Sequence, residues 1–495
     1  MADLTLSLAL PPGVRRNGTE LQSQGRWFDA SLTRFFEGSI RPIGGWVKHS
    51  SSALSGKARA LITWRDNEGA SWIGVATETH LYVMTRSGVL HDITPSAFDA
   101  AGHPDATLAG GYGLSGYGAG AYGTPRLDVV EIQDATVGSL DTWGDHLLFC
   151  NDTDGAIYEW ALVPATPAAR VSGAPSCKAL VVTSEGFVFA LGANGDQRNV
   201  SWCDQRDNTQ WTPDATNQAG DFDLQTFGRL MCGRRLSGAT GIWTDVDMWL
   251  ANYIGGVLVY AFTKVGAGCG AISRQAVTAV EAQCVWMSQN GFWTFNGYVS
   301  PLNCEVQDYV FASLNRDQVS KIFAMHNTDY GEAWWFYPSA ASIEIDRYVV
   351  WNYRENTWNI GALARLSGAE RGVFTNPMMV GADGYIYEHE TGFAYDGAAP
   401  YLTSGPLQLS GGEQVFTAQQ LIADEKTRGQ VQVSFTGRFY PNGAQTDFGG
   451  YGLSAGPPTD VRFTARQIEM TVTGAASADW RFGDARLQVS AGGRR

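Results

Sequence analysis

The chain is poor in charge: Asp, Glu, Lys and Arg make up 17% of 495 residues, against about 25% in an average soluble domain. Disordered chains are charge-rich and aromatic-poor, so that class is excluded. Ala/Glu/Lys/Leu heptads are absent, which excludes a coiled coil or a helical bundle. No run of 18 apolar residues exists, so no membrane-spanning helix is expected. The start, MADLTLSLALPPGV, has Asp3 where a signal peptide carries cations and has no small-residue cleavage site, so no signal peptide is expected. Lysine is scarce: 6 Lys stand against 29 Arg. No CxxC occurs among the seven cysteines at 150, 177, 203, 232, 269, 284 and 304, so they read as buried, reduced thiols and no zinc site is expected. There is no GxSxG, no HExxH and no Walker A motif, and the seven histidines are scattered singly.

What is present is glycine (59 residues), aromatics (12%) and a net charge of −14 from 49 acids and 35 bases. The acidity argues against a protein that grips nucleic acid, whose affinity comes from neutralising phosphates with cations. It suits a surface past which DNA must slide. The arginine excess suits planar, bidentate contacts at ordered interfaces.

Strand signals run through almost the whole chain, beginning with the alternation Leu4, Leu6, Leu8, Leu10. A glycine turn followed by an alternating apolar strand recurs, as at Ser87-Gly88-Val89-Leu90, Glu185-Gly186-Phe187-Val188-Phe189 and Asn290-Gly291-Phe292-Trp293-Thr294-Phe295. DGAIYE at 154–159 returns as DGYIYE at 383–388. Glycine belongs there because tight hairpins require positive φ. A strand, a polar turn and a returning Trp also repeat, as Val200-Ser201-Trp202 to Trp211 and Val350-Trp351-Asn352 to Trp358. These marks lie an irregular 30 to 90 residues or so apart, which fits a β-propeller with loop insertions, of about six to seven blades. A pair of stacked sandwiches or a β-rich chain without radial symmetry would give similar marks. The spacing of Val306, Val310 and Leu314 predicts a short helix near 305–314, on the propeller rim.

The organisation read from these signals is an N-terminal arm and strand over 1–45, a propeller over 46–395, and a small sandwich-like β domain over 396–495. Residues 396–415 read as a linker. Val461, Phe463 and Ala465 alternate on odd numbers, then Ile468, Met470 and Val472 on even ones, and this switch predicts a β-bulge at Arg466-Gln467. The Gly/Tyr loop 109–123, AGGYGLSGYGAGAYG, carries Tyr112, Tyr117 and Tyr122. GGYGLS occurs again at 449–454, with Tyr451. The two copies read either as docking loops or as a linker of coincidental composition. On the docking reading the candidate partner-binding residues are Tyr112, Tyr117, Tyr122, Arg126 and Tyr451.

Paired carboxylates occur at Asp152/Asp154, Asp245/Asp247 and Glu388/Glu390. They could serve a glycosidase dyad or ligate calcium. Asn151-Asp152-Thr153-Asp154-Gly155 has the look of a calcium turn, with a plain Asx turn as the default. Arg65-Asp66-Asn67-Glu68-Gly69-Ala70-Ser71-Trp72 keeps the Gly, a hydroxyl and the Trp of a sialidase-type Asp box, a hairpin motif without catalytic groups.

Several strings point in one direction. They are Leu10-Pro11-Pro12-Gly13-Val14-Arg15-Arg16-Asn17-Gly18, Gly25-Arg26-Trp27-Phe28-Asp29, Arg41-Pro42-Ile43-Gly44-Gly45-Trp46, Tyr122-Gly123-Thr124-Pro125-Arg126, Trp334-Trp335-Phe336-Tyr337-Pro338, Asp346-Arg347-Tyr348, Arg438-Phe439-Tyr440-Pro441-Asn442 and Ser477-Ala478-Asp479-Trp480-Arg481. With them the chain resembles the tail nozzle proteins of short-tailed double-stranded DNA phages, also called packaged-DNA stabilisation or tail tubular proteins. The resemblance implies a homo-hexameric ring in the virion. That ring sits below a tail adaptor protein, with tail fibre or spike proteins nearby. It closes the filled head and later serves as the conduit for DNA ejection. The resemblance implies no catalytic residue, no cofactor and no metal. A propeller glycosidase or depolymerase of a phage tail, or a glycan-binding propeller, are the alternatives.

Overall fold

A computed structural model describes residues 3–96, 98, 102–107, 133–256, 258–408, 410–427, 429–453 and 458–493. Among the described residues, seven four-stranded antiparallel sheets follow one another along the chain. Their first strands are Ala58–Arg65, Gly138–Trp143, Ala179–Val182, Leu230–Leu236, Val277–Val280, Phe323–Asn327 and Arg365–Ala369, which we call the inner strands of blades 1 to 7. Each inner strand packs beside the next, and that of blade 7 packs beside that of blade 1, so the ring closes. The fold is a seven-bladed β-propeller. The fourth strand of blade 7 is Trp46–Lys48, contributed from the front of the chain. This pairing ties the two ends of the ring together without a covalent bond.

The blade faces are apolar because neighbouring sheets bury both sides of each middle strand. Ser71–Thr77, Val188–Leu191 and Glu332–Tyr337 are buried along their whole length. The repeated DGxIYE string has a local cause. Asp154 accepts hydrogen bonds from the Ala156 N–H (3.2 Å) and the Tyr158 hydroxyl (2.8 Å), and Asp383 accepts from the Tyr385 N–H (3.3 Å) and the Tyr387 hydroxyl (2.7 Å). Gly155 (φ 72°) and Gly384 (φ 81°) take the left-handed turn that a side chain would strain. Asp66 does the same work in blade 1, accepting from the Ala70 N–H and from Trp72 Nε1, both at 2.8 Å. The second repeat divides. In blade 6, Trp351 faces Trp358 across two paired strands, while Trp211 sits in a loop and donates to the Asn208 carbonyl at 2.6 Å.

The second unit is a sandwich of two six-stranded sheets, and here the structure departs from the sequence reading. Residues 1–45 do not form a separate arm. Asp3–Ser7, Thr33–Phe36 and Ser39–Pro42 enter one sheet, with Phe416–Glu425, Thr459–Ala465 and Phe482–Ala491. Trp27–Ser31 enters the other, with Tyr401–Ser404, Leu407–Gln408, Val431–Arg438, Thr446–Gly452 and Gln467–Gly474. The stretch 396–415 is likewise no plain linker, since it holds two of those strands. At Arg466-Gln467 the chain crosses from one sheet to the other, and the parity of its core-facing side chains switches at that crossing.

The helix is Gln307–Ala312, between blades 5 and 6. Val306, Val310 and Leu314 are buried in a core shared with the sandwich, so the helix packs inward there and not on an open rim. All seven cysteines are free and buried. Burial pushes the Cys203 and Cys284 thiols up to about 12. No helix among the described residues is long and apolar enough to cross a membrane.

An ionic clasp ties Glu20 to the sandwich. Arg438 binds Glu20 at 2.5 Å and also Glu469. Burial, then the facing Glu20 carboxyl, pushes Glu469 up to about 7. A carboxyl that titrates higher in the folded chain contributes stability that is complete below its unfolded value. That contribution is lost as the pH rises through about 7. Urea unfolding midpoints are therefore expected to fall between about pH 5 and about pH 8, and to fall less in Glu469→Gln, whose amide has no proton to lose. Equal slopes for the two proteins would refute this.

Candidate functional site

In a propeller the inner strands run in one direction, so the residues that precede them gather at one mouth of the hub. Here that mouth is cationic by sequence position. Lys57, Lys178 and Arg229 immediately precede the inner strands of blades 1, 3 and 4. Arg274 and Lys321 lie two or three residues before those of blades 5 and 6. A cavity of about 580 Å³ opens there, lined by His103, Asp134, Asp152, Lys178, Arg229 and Arg274, among others.

Arg229, Arg274 and Lys321 are matched by carboxylates. Arg229 meets Asp134 at 2.8 Å and Asp245 at 3.6 Å. Arg274 meets Asp152 at 3.5 Å and also donates to the Leu230 and Met231 carbonyls. Burial pushes Asp152 above the usual carboxylate range, and Arg274 opposes it. Lys178 Nζ donates to the Asp152 carbonyl at 2.6 Å. Lys321, fully buried, meets Asp105 at 2.5 Å and Glu344 at 3.3 Å. Arg59 forks onto Glu344 at 2.7 and 3.0 Å. Arg59 and Lys321 are buried and Arg274 nearly so, and each needs its carboxylate, because a lone charge at such depth would be costly, whereas the Arg229 pairs are partly exposed to solvent.

The same mouth anchors both flanks of the Gly/Tyr loop. Thr107 and Gln133 exchange backbone hydrogen bonds of 2.9 and 3.2 Å. Arg59 donates to the Pro104 carbonyl, Gln318 bonds Ala106 in both directions, and the Ala135 N–H donates to the Ser320 hydroxyl. Further in, Gln275 of blade 5 donates to the Gly138 carbonyl of blade 2 at 2.9 Å and accepts from Arg234 at 3.3 Å. The hub is thus crossed by side chains.

Of the residues singled out from sequence, Tyr112, Tyr117, Tyr122 and Arg126 lie outside the described residues. Tyr451 sits half-buried in Thr446–Gly452, its ring 6.4 Å from Phe435 and packed on the sandwich core. The carboxylate pairs are separated by their partners. Asn151 Oδ1 accepts from the Thr153 and Asp154 N–H groups, which makes 151–155 an Asx turn. Asp247 is buried beneath Thr226, Thr244, Trp249 and Lys264. Glu390 binds Arg34. Among the described residues no group of three or more His, Cys, Asp or Glu side chains is placed to hold a metal ion.

Sequence reading missed the ionic mouth because its members are far apart along the chain. The available signal was a base placed shortly before successive inner strands. The arginines expected at subunit contacts are in large part spent inside the chain: Arg16, Arg26, Arg34, Arg59, Arg274 and Arg438 all hold intramolecular carboxylates.

No protein-family model and no curated protein matches this chain. Solved structures resemble it in architecture. The WD40 domain of Neurospora crassa Pan2 is 11% identical, with a TM-score of 0.40 over 70% of this chain and 95% of that one. The N-terminal domain of Nup159 is 10% identical, with a TM-score of 0.40 over 77% and 100%. An exo-β-1,3-galactanase from Phanerochaete chrysosporium is 8% identical, with a TM-score of 0.32 over 90% and 100%. These likenesses concern the fold alone.

Proposed function

We propose that this chain is a structural protein of a phage virion, the subunit of a hexameric tail nozzle. The ring closes the head after packaging and passes DNA during ejection. Its partners are further copies of itself, a tail adaptor, and tail fibre or spike proteins. The chain is made in the host cytoplasm and ends up in the tail. The reading assigns no catalytic residue, cofactor or metal.

The observation that carries it is the self-neutralised mouth of the propeller. Arg229, Arg274, Lys321 and Arg59 are each held by carboxylates of the same chain, and the whole carries −14. A polyanion finds few cations to exchange for its own counterions there, so it is not retained. Because Gln275 bridges the hub, the conduit in this reading is the opening enclosed by six copies, and the neutralised propeller mouths are surfaces that do not hold the DNA as it passes.

Virions assembled without this chain test the proposal. The expected particles package DNA and then leak it, or lack the tail tip in electron micrographs. Full, stable particles with complete tails would refute it. A second expectation is simpler to measure. At about 0.1 M salt the purified chain should retard duplex DNA more weakly than ordinary non-specific binders, whose Kd is about 10⁻⁴ to 10⁻⁶ M. Tight micromolar retardation would contradict the conduit.

One observation favours a glycan-binding reading instead. The cavity at the mouth presents guanidinium and carboxylate groups together, a set that can hydrogen-bond a sugar. Binding to host surface polysaccharide that disappears in Arg229→Ala and Arg274→Ala would select that reading over the nozzle.

A further inference from the structure

The propeller is closed by one short pairing, and a buried cation stands beside it without an anion. Trp46–Lys48 pairs with Ile386–His389, and Trp46 lies opposite His389. The buried Trp46 ring is 5.4 Å from the His389 ring and 5.7 Å from that of Tyr395, and its Nε1 donates to Asp396 at 2.6 Å. Arg365, the first residue of the inner strand of blade 7, covers the same indole at 4.5 Å. Arg365 and His389 are 6% and 4% exposed. A guanidinium at that depth is ordinarily paired with a carboxylate, and this one is not. Its Nε donates to His389 Nε2 at 2.9 Å and its Nη1 to the Ala364 carbonyl at 2.8 Å, while its Nη2 is buried without a partner among the described residues.

An arginine can only donate, so His389 Nε2 offers its lone pair and the ring proton sits on Nδ1. A second proton on that ring would set two N–H groups and two positive charges against each other across 2.9 Å. The carboxylates around the pair are engaged elsewhere. Asp383, on the turn of blade 7, accepts from the Tyr387 hydroxyl and faces Lys48 of the closing strand. Glu388 accepts from Asn376 and faces His49 at 3.8 Å. Glu390 is bound by Arg34, and Asp396 by Trp46. The Tyr395 hydroxyl donates to the Ile43 carbonyl. Lys48 adds a cation to the same strand pair. Burial, then the Arg365 charge, holds His389 well below the usual histidine range, and burial brings Arg365 down only to about 10, so the arginine stays charged throughout.

We propose that His389 is an acid-sensitive latch on the propeller: uptake of one proton at Nε2 breaks its bond from Arg365 and releases the Trp46–Lys48 strand from blade 7. The sign follows from linkage. A released, solvated imidazole takes its proton near pH 6.5, and the buried one only at lower pH. Opening is therefore insensitive to pH above about 6.5 and gains about tenfold for each pH unit below it, down to the folded value.

Fluorine NMR of the full chain labelled with 5-fluorotryptophan tests this, with Trp46→Phe to assign the Trp46 signal. Between about pH 7.5 and about pH 4.5 that signal is expected to pass to the position of a solvated indole before the other tryptophans change. In His389→Gln, whose amide oxygen accepts from Arg365 at every pH, it is expected to stay in place. A Trp46 signal that moves only together with all the others overturns the latch. So does one that moves equally in His389→Gln, which would transfer the acid response to Asp396. If His389→Gln does not fold, the unaltered chain decides. Carbon-labelled histidine, assigned by changing the other six histidines in turn, is expected to show His389 protonated at Nδ1 near pH 7, and a ring protonated at Nε2 there would overturn the proposal.

Discussion

Arg34→Met is expected to cost about 3–5 kcal/mol, the range for breaking a buried ion pair from one side. Arg34 stands in Thr33–Phe36, and its side chain is 2% exposed. Its guanidinium forks onto Glu332 of blade 6 at 2.9 and 3.0 Å and onto Glu390 beyond blade 7 at 2.5 and 2.9 Å. The Tyr330 ring covers it at 3.5 Å. Trp334 Nε1 completes Glu332, while the Gly44 N–H and the Asn327 amide complete Glu390. Removal of the cation leaves two carboxylates facing each other out of water. The variant should unfold at lower urea, with its sandwich cut by protease before the propeller. Arg34→Met combined with Glu332→Gln and Glu390→Gln should regain most of the loss, because no uncompensated charge remains. A cost below about 1 kcal/mol for the single change would show that the clasp does not join the two units.

Residues 396–495 produced alone are expected not to fold cooperatively. Four of the twelve sandwich strands come from the front of the chain. Leu8, Val14, Trp27, Phe35 and Ile40 stand in the shared core. At about 2 kcal/mol for each large apolar side chain buried, their loss removes roughly 10 kcal/mol, as much as the whole stability of a typical domain. Joint production with residues 1–45 should restore a sharp urea transition by tryptophan fluorescence. A sharp transition for 396–495 by itself would show that the N-terminal strands are dispensable.

Both results turn on contacts between the two ends of the chain, and these set the limit of what could be read beforehand. The hairpins were legible because their cause is local. Asp154 and Tyr158, or Asp66 and Trp72, lie four and six residues apart and lock one turn. The parity switch at Arg466 was legible as an event, but the change of sheet that accompanies it was not, because only the partner strands show it. Arg34 showed nothing of its role, since its carboxylates are about 300 and 356 residues away. The ionic mouth was scattered in the same way, one base for each of several blades.

Period-two alternation, glycine turns and a shortage of charge were enough to determine an all-β chain of repeated hairpins with an acidic surface, because backbone sterics and the burial of alternate side chains act over a few residues. The number of blades, the closure of the ring by Trp46–Lys48, the interleaving of the first 45 residues with the last hundred and the pairing of Arg34, Arg59, Arg274 and Lys321 with distant carboxylates were decided only by the tertiary structure. Those outcomes depend on which distant surfaces come into contact, and no local interaction carries that information.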